Sequence, residues 1–411
     1  MRLPALQHAN FRNYLAGTFV SNVGSNMQAL AIVWQVFDLT GSSLMVGLLG
    51  LVRVVPLLCL TLFAGVLADQ TDRRRLMLIT QTAMALVSLT AFLLTVNSLI
   101  TVGLLYAIVA LQTVARAFDG PARQSMFATL VPARDFPNAA SLNGMSWRLS
   151  DVLGPVIAGF MVQNVGSGLA LCYGINLLTF SAVLFAVWRL PPNRPDAGED
   201  HARTLGDVFL RIGEGFQFIR RTPAVRSAMW IDFWATLFSG ADALFPAMAT
   251  TVLNLGPQAL GLLQGSVGAG ALIGATHMAW RPTIHRQGLV VVSMIASYGV
   301  FTILFGFATS LWFAMICLAG VGASDMISTV LRQTIRQLAT PDAMRGRMNA
   351  TCSLFHISGP QLGDLEAGAV ASLGGERFSI VLGGSLCLGV ALLFSRGRGL
   401  IDYTHDAEKH A

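Results

Sequence analysis

Several ionisable residues lie inside long apolar segments of the sequence, where a charge in a bilayer costs at least about 2.5–3.5 kcal/mol. Side chains of this kind usually face a water-filled cavity, where they pair with one another or bind substrate or protons. They are Arg53, Arg148, Asp151, Asp232, Asp242, Asp325, His356, Asp364 and Glu366. For each acid taken alone, a structural ion pair and a role in proton uptake explain the residue equally well. For His356, a hydrogen-bonded core histidine is the simpler interpretation.

Asp364 and Glu366 are the favoured proton carriers. Both follow Gly359-Pro360, where a proline loosens the helix and water can enter. The two acids lie two positions apart, about 200° around a helix, so only one of them faces a cavity squarely. Arg53 and Arg148, from the first half of the chain, are candidate counter-charges. A cross-half ion pair could hold one conformation until protonation releases it.

Other chemistries find little support. Lys409 is the only lysine, so no phosphate-binding loop of the G-x-x-x-x-G-K-[ST] type exists. The five cysteines lie in apolar segments without metal-ligand spacing, which is typical of small buried residues rather than of disulfides or a zinc site. No set of nucleophile, base and acid stands out. The sequence therefore predicts neither an enzyme nor a bound metal or cofactor.

The elements that carry these residues are apolar segments of roughly 20 residues, each long enough to cross a bilayer as a helix. The chain is 54% hydrophobic and 12% charged, against about 25% charged in soluble domains. Twelve such segments are predicted. They are Phe11 to Phe37, Leu44 to Leu67, Leu76 to Val96, Leu99 to Phe118, Asn138 to Val165, Gly168 to Trp188, Val225 to Thr251, Leu260 to Trp280, Leu289 to Ala308, Leu311 to Val330, Met348 to Ser372 and Phe378 to Ser395.

Basic residues occupy alternate gaps between these segments, with Arg377 as the exception. The occupied gaps hold, among others, Arg73 to Arg75, Arg123, Arg134, Arg281, Arg286, Arg332 and Arg345. By the positive-inside rule, both termini are cytoplasmic and the number of spans is even. The formal charge of +6 then reflects topology, and no nucleic-acid partner is predicted. The first segment is too long for the core of a cleaved signal peptide and is expected to remain as a span.

The chain divides near its middle, at a linker rich in proline and charge from Pro191 to Arg203. An amphipathic helix follows, roughly Thr204 to Arg221, beginning with a capping pair Thr204 and Asp207. It is expected to lie on the cytoplasmic membrane face or against the bundle. The predicted domains are a six-helix bundle (1–188), the linker and helix (189–224), a second bundle (225–395) and a tail (396–411).

Each half of the chain repeats the other weakly. Arg123-Gln124 precedes Pro132 by the same interval as Arg332-Gln333 precedes Pro341, and Gly154-Pro155 is matched by Gly359-Pro360. Two parallel six-helix repeats around a cavity are a transporter plan. The sequence thus predicts an all-α integral membrane protein of twelve transmembrane helices in two six-helix pseudo-repeats.

Three motifs resemble those of the major facilitator superfamily. The segment from Gly65 through Asp69 to Arg73, Arg74 and Arg75 resembles its loop signature, with Gln70 and Asp72 replacing the usual basic residue and glycine. In that family the motif stabilises one gating state. Arg116 with Gly120 is similar to a pattern whose arginine is linked to proton coupling, although Arg116 could simply extend to the interface. Gly154, Pro155 and Gly159 resemble a motif of the family's exporters, with an ordinary kinked span as the alternative.

The branch of that superfamily containing enterobactin exporters and other secretion effectors is the most similar. The likeness includes Gly120 to Gln124, Pro137 to Asn143, Arg148, Arg345 to Arg347 and Gly363 to Gly368, over essentially the whole chain. It implies export of a siderophore or a related amphipathic molecule, such as a drug, across a bacterial inner membrane. The intramembrane carboxylates and the missing phosphate loop favour coupling to protons, and a monomer is expected. An importer or symporter, and a non-pumping receptor or lipid scramblase, remain alternatives. The implied partners are a small-molecule substrate, protons and the lipid bilayer.

Overall fold

The computed structural model describes residues 3–193, 205–281, 284–397 and 400, and shows no β-strand within them. Its helices match the predicted segments in order. They are α1 (Ala9–Thr40), α2 (Ser43–Gln70), α3 (Arg73–Val96), α4 (Val102–Ala128), α5 (Phe136–Asn164), α6 (Gly168–Trp188), α7 (Leu205–Arg221), α8 (Pro223–Ser239), α9 (Phe245–Ala247), α10 (Pro257–Trp280), α11 (Gln287–Gly306), α12 (Leu311–Leu338), α13 (Asp342–Gly374) and α14 (Glu376–Ser395).

Some sequence-based predictions fall outside the described residues. These are the linker from Arg194 to Arg203, the capping residue Thr204, most of the C-terminal tail, and the side chains of Asp69 and Asp207.

Eight helices within the described residues are long and apolar enough to cross a membrane: part of α2, then α3, α4, α6, α10, α11, α12 and α14. The long helices α1, α5 and α13 are not among them, because each carries several polar side chains. Polar residues in a spanning helix are tolerated where they face protein or a cavity. Some of these polar residues are buried accordingly, among them Gln28 and Gln35 of α1.

The seventh predicted span, Val225 to Thr251, is not one continuous helix. It ends as α8 at Ser239, and Gly240 turns the backbone into an extended conformation. A 3₁₀ turn (Asp242–Leu244), α9 and a π-helix (Met248–Val252) follow. Pro246 contributes to the break, since it cannot donate a helical hydrogen bond.

Two helices run further than predicted. α4 continues past Phe118 to Ala128, and α12 continues past Val330 to Leu338. Arg123 and Arg332, which the sequence pattern assigned to cytoplasmic gaps, therefore lie within helices. Arg332 is 1% exposed, which makes it the largest fully buried side chain of the described chain.

The chain forms two compact units that exchange short segments. The first unit comprises Met1–Leu39, Val55–Val208 and Gly256–Gly261, and the second comprises Thr40–Val54, Phe209–Leu255 and Leu262–Ala411. The first has a core of Tyr14, Met77, Met126, Phe180 and neighbouring residues from α1, α3, α4 and α6. The second has a core from α8, α11, α12 and α14.

The amphipathic helix α7 packs against the second unit. Its Ile219 is buried with Val225, Met229 and Met348. Glu214 lies 2.7 Å from Arg347 of α13. The predicted locations of this helix were the cytoplasmic membrane face and the bundle, and these contacts match the bundle.

Of the five cysteines, Cys172, Cys317, Cys352 and Cys387 are buried, and all five are free. Cys59 is exposed, which differs from the predicted burial. It lies on α2 within an apolar stretch, so its surface faces outward from the protein.

Candidate functional site

Close helix packing in the second unit brings the charged part of α13 against the first turns of α2. A Cβ added at Gly47 or Gly50 would meet the main-chain oxygens of Asp364 and Gln361, and one at Gly368 would meet Ser43 and Leu44. Only glycine allows two helix backbones to approach this closely. The crossing places Arg53, one turn after Gly50, near Asp364.

Arg53, Asp364 and Asp242 form a charged cluster in the second unit. The guanidinium of Arg53 interacts electrostatically with both carboxylates, and the two carboxylates interact with each other. The main-chain N–H of Ala243 donates to Asp364 Oδ1 at 3.1 Å. That donor is available because the chain after α8 has left the α-helical hydrogen-bond pattern. Two carboxylates thus share one arginine.

Glu366 lies two positions further along α13 and differs from Asp364 in its contacts. It is half-buried, and no hydrogen bond or ion pair to it occurs among the described residues. The two acids therefore lie in different surroundings, as their angular separation on a helix requires. Only Asp364 belongs to a charge cluster.

A second cluster surrounds Arg332 of α12. Its Nη2 lies 2.7 Å from Asp232 Oδ1 of α8 and 3.7 Å from Asp325 Oδ1 of its own helix. His356 Nδ1 of α13 lies 3.0 Å from Asp232 Oδ2. Asp232 and Arg332 are buried, whereas the side chains of Asp325 and His356 are about half exposed. The cluster thus joins three helices around one arginine.

Hydrogen bonds fix the Arg332 guanidinium further. It donates to Ser328 at 2.9 Å and to Thr329 at 2.8 Å. Its Nε is buried without a partner among the described residues, and the Asp232 contact is close but not aligned as a hydrogen bond. The predicted candidates Asp232 and Asp325 thus meet an arginine that the sequence pattern placed in a gap. The repeated Arg-Gln pair was the signal that could have identified it.

The first unit holds the matching arginine. Arg123 Nε lies 3.0 Å from Asp119 Oδ2 within α4. Thr80 and Gln81 of α3 each donate to Asp119 Oδ1 at 2.9 Å. Asp119 is 4% exposed and accepts hydrogen bonds from all three of these side chains. Neither Asp119 nor Arg123 was singled out as a site residue from the sequence, although their spacing of four on a helix is typical of an ion pair.

A cavity of about 660 Å³ lies beside this pair, within the first unit. Its lining includes polar groups of α1, α3 and α4 and aromatic rings of α4 and α5. Residues lining it include Tyr14, Asn22, Gln81, Arg116, Asp119, Arg123, Phe127, Phe136, Trp147 and Phe180. The volume is that of a small-molecule site.

Arg148, the other candidate counter-charge, lies in the first unit beside Asp151. Arg148 Nη1 is 3.6 Å from Asp151 Oδ2, and Asn26 of α1 donates to Asp151 Oδ1 at 3.1 Å. Arg116 acts electrostatically on the same carboxylate. The arginine of the α4 motif thus faces both this acid and the cavity.

The Gly154-Pro155 motif of α5 lies where that helix contacts two others. A Cβ at Gly154 would meet Asn26 and Val23 of α1. One at Gly159 would meet Pro257 and Gly261 at the start of α10. Pro155 cannot donate to the carbonyl of Asp151 four residues earlier, just as Pro360 cannot donate to that of His356. In both repeats, therefore, the proline frees the carbonyl of a residue whose side chain bonds the neighbouring helix.

The arginines of the loop motif anchor α3 to the end of α6. Arg74 donates from Nε to the carbonyl of Val187 at 3.3 Å and from Nη2 to that of Trp188. Arg73 donates to the side chain of Asn193. Asp72, at the position where the motif usually has glycine, caps α3 by accepting from the N–H groups of Arg74 and Arg75. A Cβ at Gly65 would meet nothing within 4 Å, so no neighbouring helix among the described residues approaches closely at that glycine.

Comparison with known proteins was made by sequence and by structure. The transmembrane secretion effector family matches residues 2–403. The enterobactin exporter EntS of Salmonella choleraesuis is 27% identical over 93% of this chain and 92% of its own length. EntS of Shigella boydii serotype 18 is 26% identical over 95% of this chain and 94% of its own.

Solved structures show the same fold at low identity. A POT family transporter in complex with a thioalcohol-conjugated peptide has a TM-score of 0.72 at 11% identity, covering 95% of this chain and 96% of its own. A bacterial homologue of the iron transporter ferroportin, in an inward-facing state, has a TM-score of 0.68 at 15% identity, covering 94% and 98%. With a family match over almost its whole length, the chain belongs to the transmembrane secretion effector family of the major facilitator superfamily, and it is a multi-pass membrane transporter rather than an enzyme.

Proposed function

We propose that this protein is a proton-driven exporter that moves a small amphipathic molecule, such as a siderophore, out across a bacterial inner membrane. The relatives named enterobactin exporters support the direction and the class of substrate. The tightly packed Gly154, Pro155 and Gly159 support export as well. Both termini lie in the cytoplasm and the working unit is a monomer.

The observation that carries proton coupling is the cluster of Asp364, Asp242 and Arg53. It holds two carboxylates and one arginine where α2 and α13 touch backbone to backbone. With both acids ionised the cluster has a net charge of −1, and one proton balances it. Desolvated like charges repel strongly, so binding and release of that proton changes the attraction between α2 and α13. Helix contacts that depend on a proton are what a coupled transporter requires.

The arginine cluster of α12 supports the same mechanism. Asp232 and Asp325 face Arg332, with His356 at the exposed side of the group. In the other repeat, Arg116 acts electrostatically on Asp151 and lines the cavity of the first unit.

The loop motif has a gating role in this proposal. Arg73 and Arg74 tie the start of α3 to the end of α6 and to Asn193. Asp69, Arg73, Arg74 and Arg75 hold the cytoplasmic side closed while the cavity opens outward. Arg73 and Arg74, which these hydrogen bonds hold in place, form the fixed part of this closure.

Everted membrane vesicles test the function. Uptake of enterobactin into them, abolished by a protonophore, is expected for a proton-driven exporter. Uptake that ignores both the pH gradient and the membrane potential would rule out proton coupling. Uptake only into right-side-out vesicles would identify an importer.

The assignment of the proton carrier is tested by a matched pair of variants on α13. Asp364→Asn is expected to abolish gradient-driven export while downhill substrate exchange continues, because exchange needs no net proton movement. Glu366→Gln, which alters an acid without partners among the described residues, is expected to leave both activities near those of the parent. If Asp364→Asn lowers both activities together, the carrier must be sought among Asp232, Asp242 and Asp325.

A further inference from the structure

A groove of about 650 Å³ lies between α8 and α14 on the second unit. Its apolar lining consists of Trp230, Trp234 and Phe238 of α8 and of Val390, Leu393 and Phe394 of α14. Leu393 is 69% exposed and Trp234 is 37% exposed, so the groove is open to the surroundings of the protein. Because α14 is long and apolar enough to span a membrane, those surroundings are lipid. Acyl chains can therefore enter the groove from the bilayer.

Three aromatic rings of α8 form one wall of the groove. The rings of Trp230 and Trp234 stack with their centroids 6.1 Å apart, and those of Trp234 and Phe238 stack at 5.6 Å. A spacing of four residues places side chains above one another on a helix, so the rings follow the helix axis. From Arg226 to Phe238 the helix rises about 18 Å. One leaflet contributes about half of the roughly 30 Å of bilayer hydrocarbon, so the groove has the length of a lipid's acyl chains.

One end of the groove is positively charged. Arg226 is the charged residue in its lining, and the Nη1 of Arg226 donates to the carbonyl of Arg220 at 3.3 Å. Arg220 and Arg221 end α7 just before α8 begins, and Arg396 follows two residues after Phe394. All four arginines are exposed, and none pairs with a carboxylate among the described residues. The end of the groove therefore attracts an anion.

Hydrogen-bond donors at this end suit a phosphate group. Arg226 uses one of its N–H groups for Arg220 and keeps the others for a ligand. Ser227 lines the groove beside it, and its hydroxyl makes no hydrogen bond within the part of the chain that the structure describes. A guanidinium binds phosphate oxygens through parallel hydrogen bonds. A phosphate here would thus meet both charge and donors.

We propose that this groove is a binding site for one anionic glycerophospholipid. The lipid phosphate accepts hydrogen bonds from Arg226 and Ser227, and an acyl chain lies along the stacked rings of α8. A zwitterionic lipid would bring its own cation towards the arginines, and a second copy of this chain packed through the same groove would bring four more. With the predicted topology, the lipid belongs to the cytoplasmic leaflet, where basic segments near the membrane attract anionic lipids. The site does not depend on the proposed transport function.

Tryptophan fluorescence of the purified full chain in phosphatidylcholine nanodiscs tests the preference for an anionic lipid. The probes are phosphatidylglycerol and phosphatidylcholine, each with brominated acyl chains that quench a tryptophan on contact. Brominated phosphatidylglycerol is expected to quench saturably, at a mole fraction about tenfold lower than brominated phosphatidylcholine needs for the same effect. Equal quenching by the two lipids would show an unspecific lipid contact and would overturn the proposal.

A double variant, Trp230→Phe with Trp234→Phe, tests the location of the lipid. The chain has seven tryptophans, and this variant removes the two in the groove while it keeps an aromatic ring at each position. The quenching specific to phosphatidylglycerol should disappear. If that quenching persists in the double variant, the lipid binds elsewhere and the groove is not the site.

Arg226→Gln tests the role of charge. The preference for phosphatidylglycerol should fall about fivefold, the effect of one arginine near an anionic headgroup. The matched control is Arg12→Gln, which removes an exposed arginine of α1 that does not line the groove, and it should leave the preference unchanged. Equal losses in the two variants would indicate attraction to the net charge alone, and no loss in Arg226→Gln would remove the phosphate contact; either result contradicts the proposal.

Glycerol phosphate, added in excess, distinguishes a lipid from a free phosphate. It carries the headgroup charge without acyl chains, so it should not relieve the quenching by brominated phosphatidylglycerol. Full relief would identify a site for soluble phosphate compounds and would overturn the assignment to a lipid.

Discussion

Arg332 is a buried charge whose partners lie on two helices. It contacts Asp232 of α8 and Asp325, Ser328 and Thr329 of its own helix. A buried ion pair contributes little net free energy compared with apolar packing, but loss of one partner leaves a bare charge. The cluster is therefore sensitive to single changes and tolerant of paired ones.

Arg332→Met is expected to lower the free energy of unfolding by about 3–5 kcal/mol, because Asp232 is left buried without its counter-charge. Thermal unfolding in detergent measures the loss. The double variant Arg332→Met with Asp232→Asn should recover much of it. Asp325→Asn is the control, since that side chain is half exposed and 3.7 Å away, and it should cost less than about 1 kcal/mol. Equal losses in the two single variants would contradict this account of the cluster.

At the scale of elements, α3 begins with three arginines, which is unfavourable beside the positive end of a helix dipole. Asp72 offsets this by capping the helix. Arg74 donates hydrogen bonds to the last carbonyls of α6, at the negative end of that helix dipole. The departure from the family motif at Asp72 thus has a structural reason.

Arg74→Ala should destabilise the first unit by on the order of 1–2 kcal/mol, because the last carbonyls of α6 lose a charged donor. Arg75→Ala is the matched control, because its side chain is exposed and has no partner among the described residues. It should be neutral or slightly stabilising. Thermal unfolding in detergent compares the two, and an equal effect of both would exclude the anchoring role.

The crossing of α5 with α10 depends on Gly159 and Gly261. Gly159→Ala places a methyl group 2.6 Å from the main-chain oxygen of Pro257, so the helices must separate. We expect an overpacking cost of about 1–3 kcal/mol and reduced transport with normal membrane insertion. Gly389→Ala of α14, where an added Cβ meets nothing within 4 Å, is the control. Vesicle transport at matched protein levels is the measurement; full activity of Gly159→Ala would show that the close approach is dispensable.

At the scale of the whole molecule, the two repeats share an arrangement of helix contacts but make those contacts with different residue types. Asp151 of α5 bonds Asn26 of α1, and His356 of α13 bonds Asp232 of α8, each four residues before a Gly-Pro proline. Each compact unit also takes a short segment from the other half of the sequence, Thr40–Val54 or Gly256–Gly261. The repeats therefore share helix contacts while only one of these paired positions carries a histidine.

The basic gaps predict that both termini lie in the cytoplasm. A green fluorescent protein appended after Ala411 is expected to fluoresce, because that fold matures in the cytoplasm. Alkaline phosphatase fused at Ser98, in the gap between α3 and α4 that holds no basic residue, should be active outside. If alkaline phosphatase fused after Ala411 were active, the C-terminus would lie outside and the predicted topology would be wrong.

The sequence alone determined the membrane class and the all-helical fold, because the length and periodicity of apolar segments are local properties. It also identified Asp232, Asp325 and Asp364, since charges in apolar segments stand out by composition. Only the tertiary structure decided their partners. Arg332 and Arg123 look like gap arginines until α12 and α4 are seen to continue past them. Of the two candidate counter-charges, Arg53 lies near Asp364 because the glycines of α2 let two helices that are distant in sequence touch. The residues that line the cavity of the first unit come from α1, α3, α4, α5 and α6 and meet only after folding, since they lie far apart in the chain.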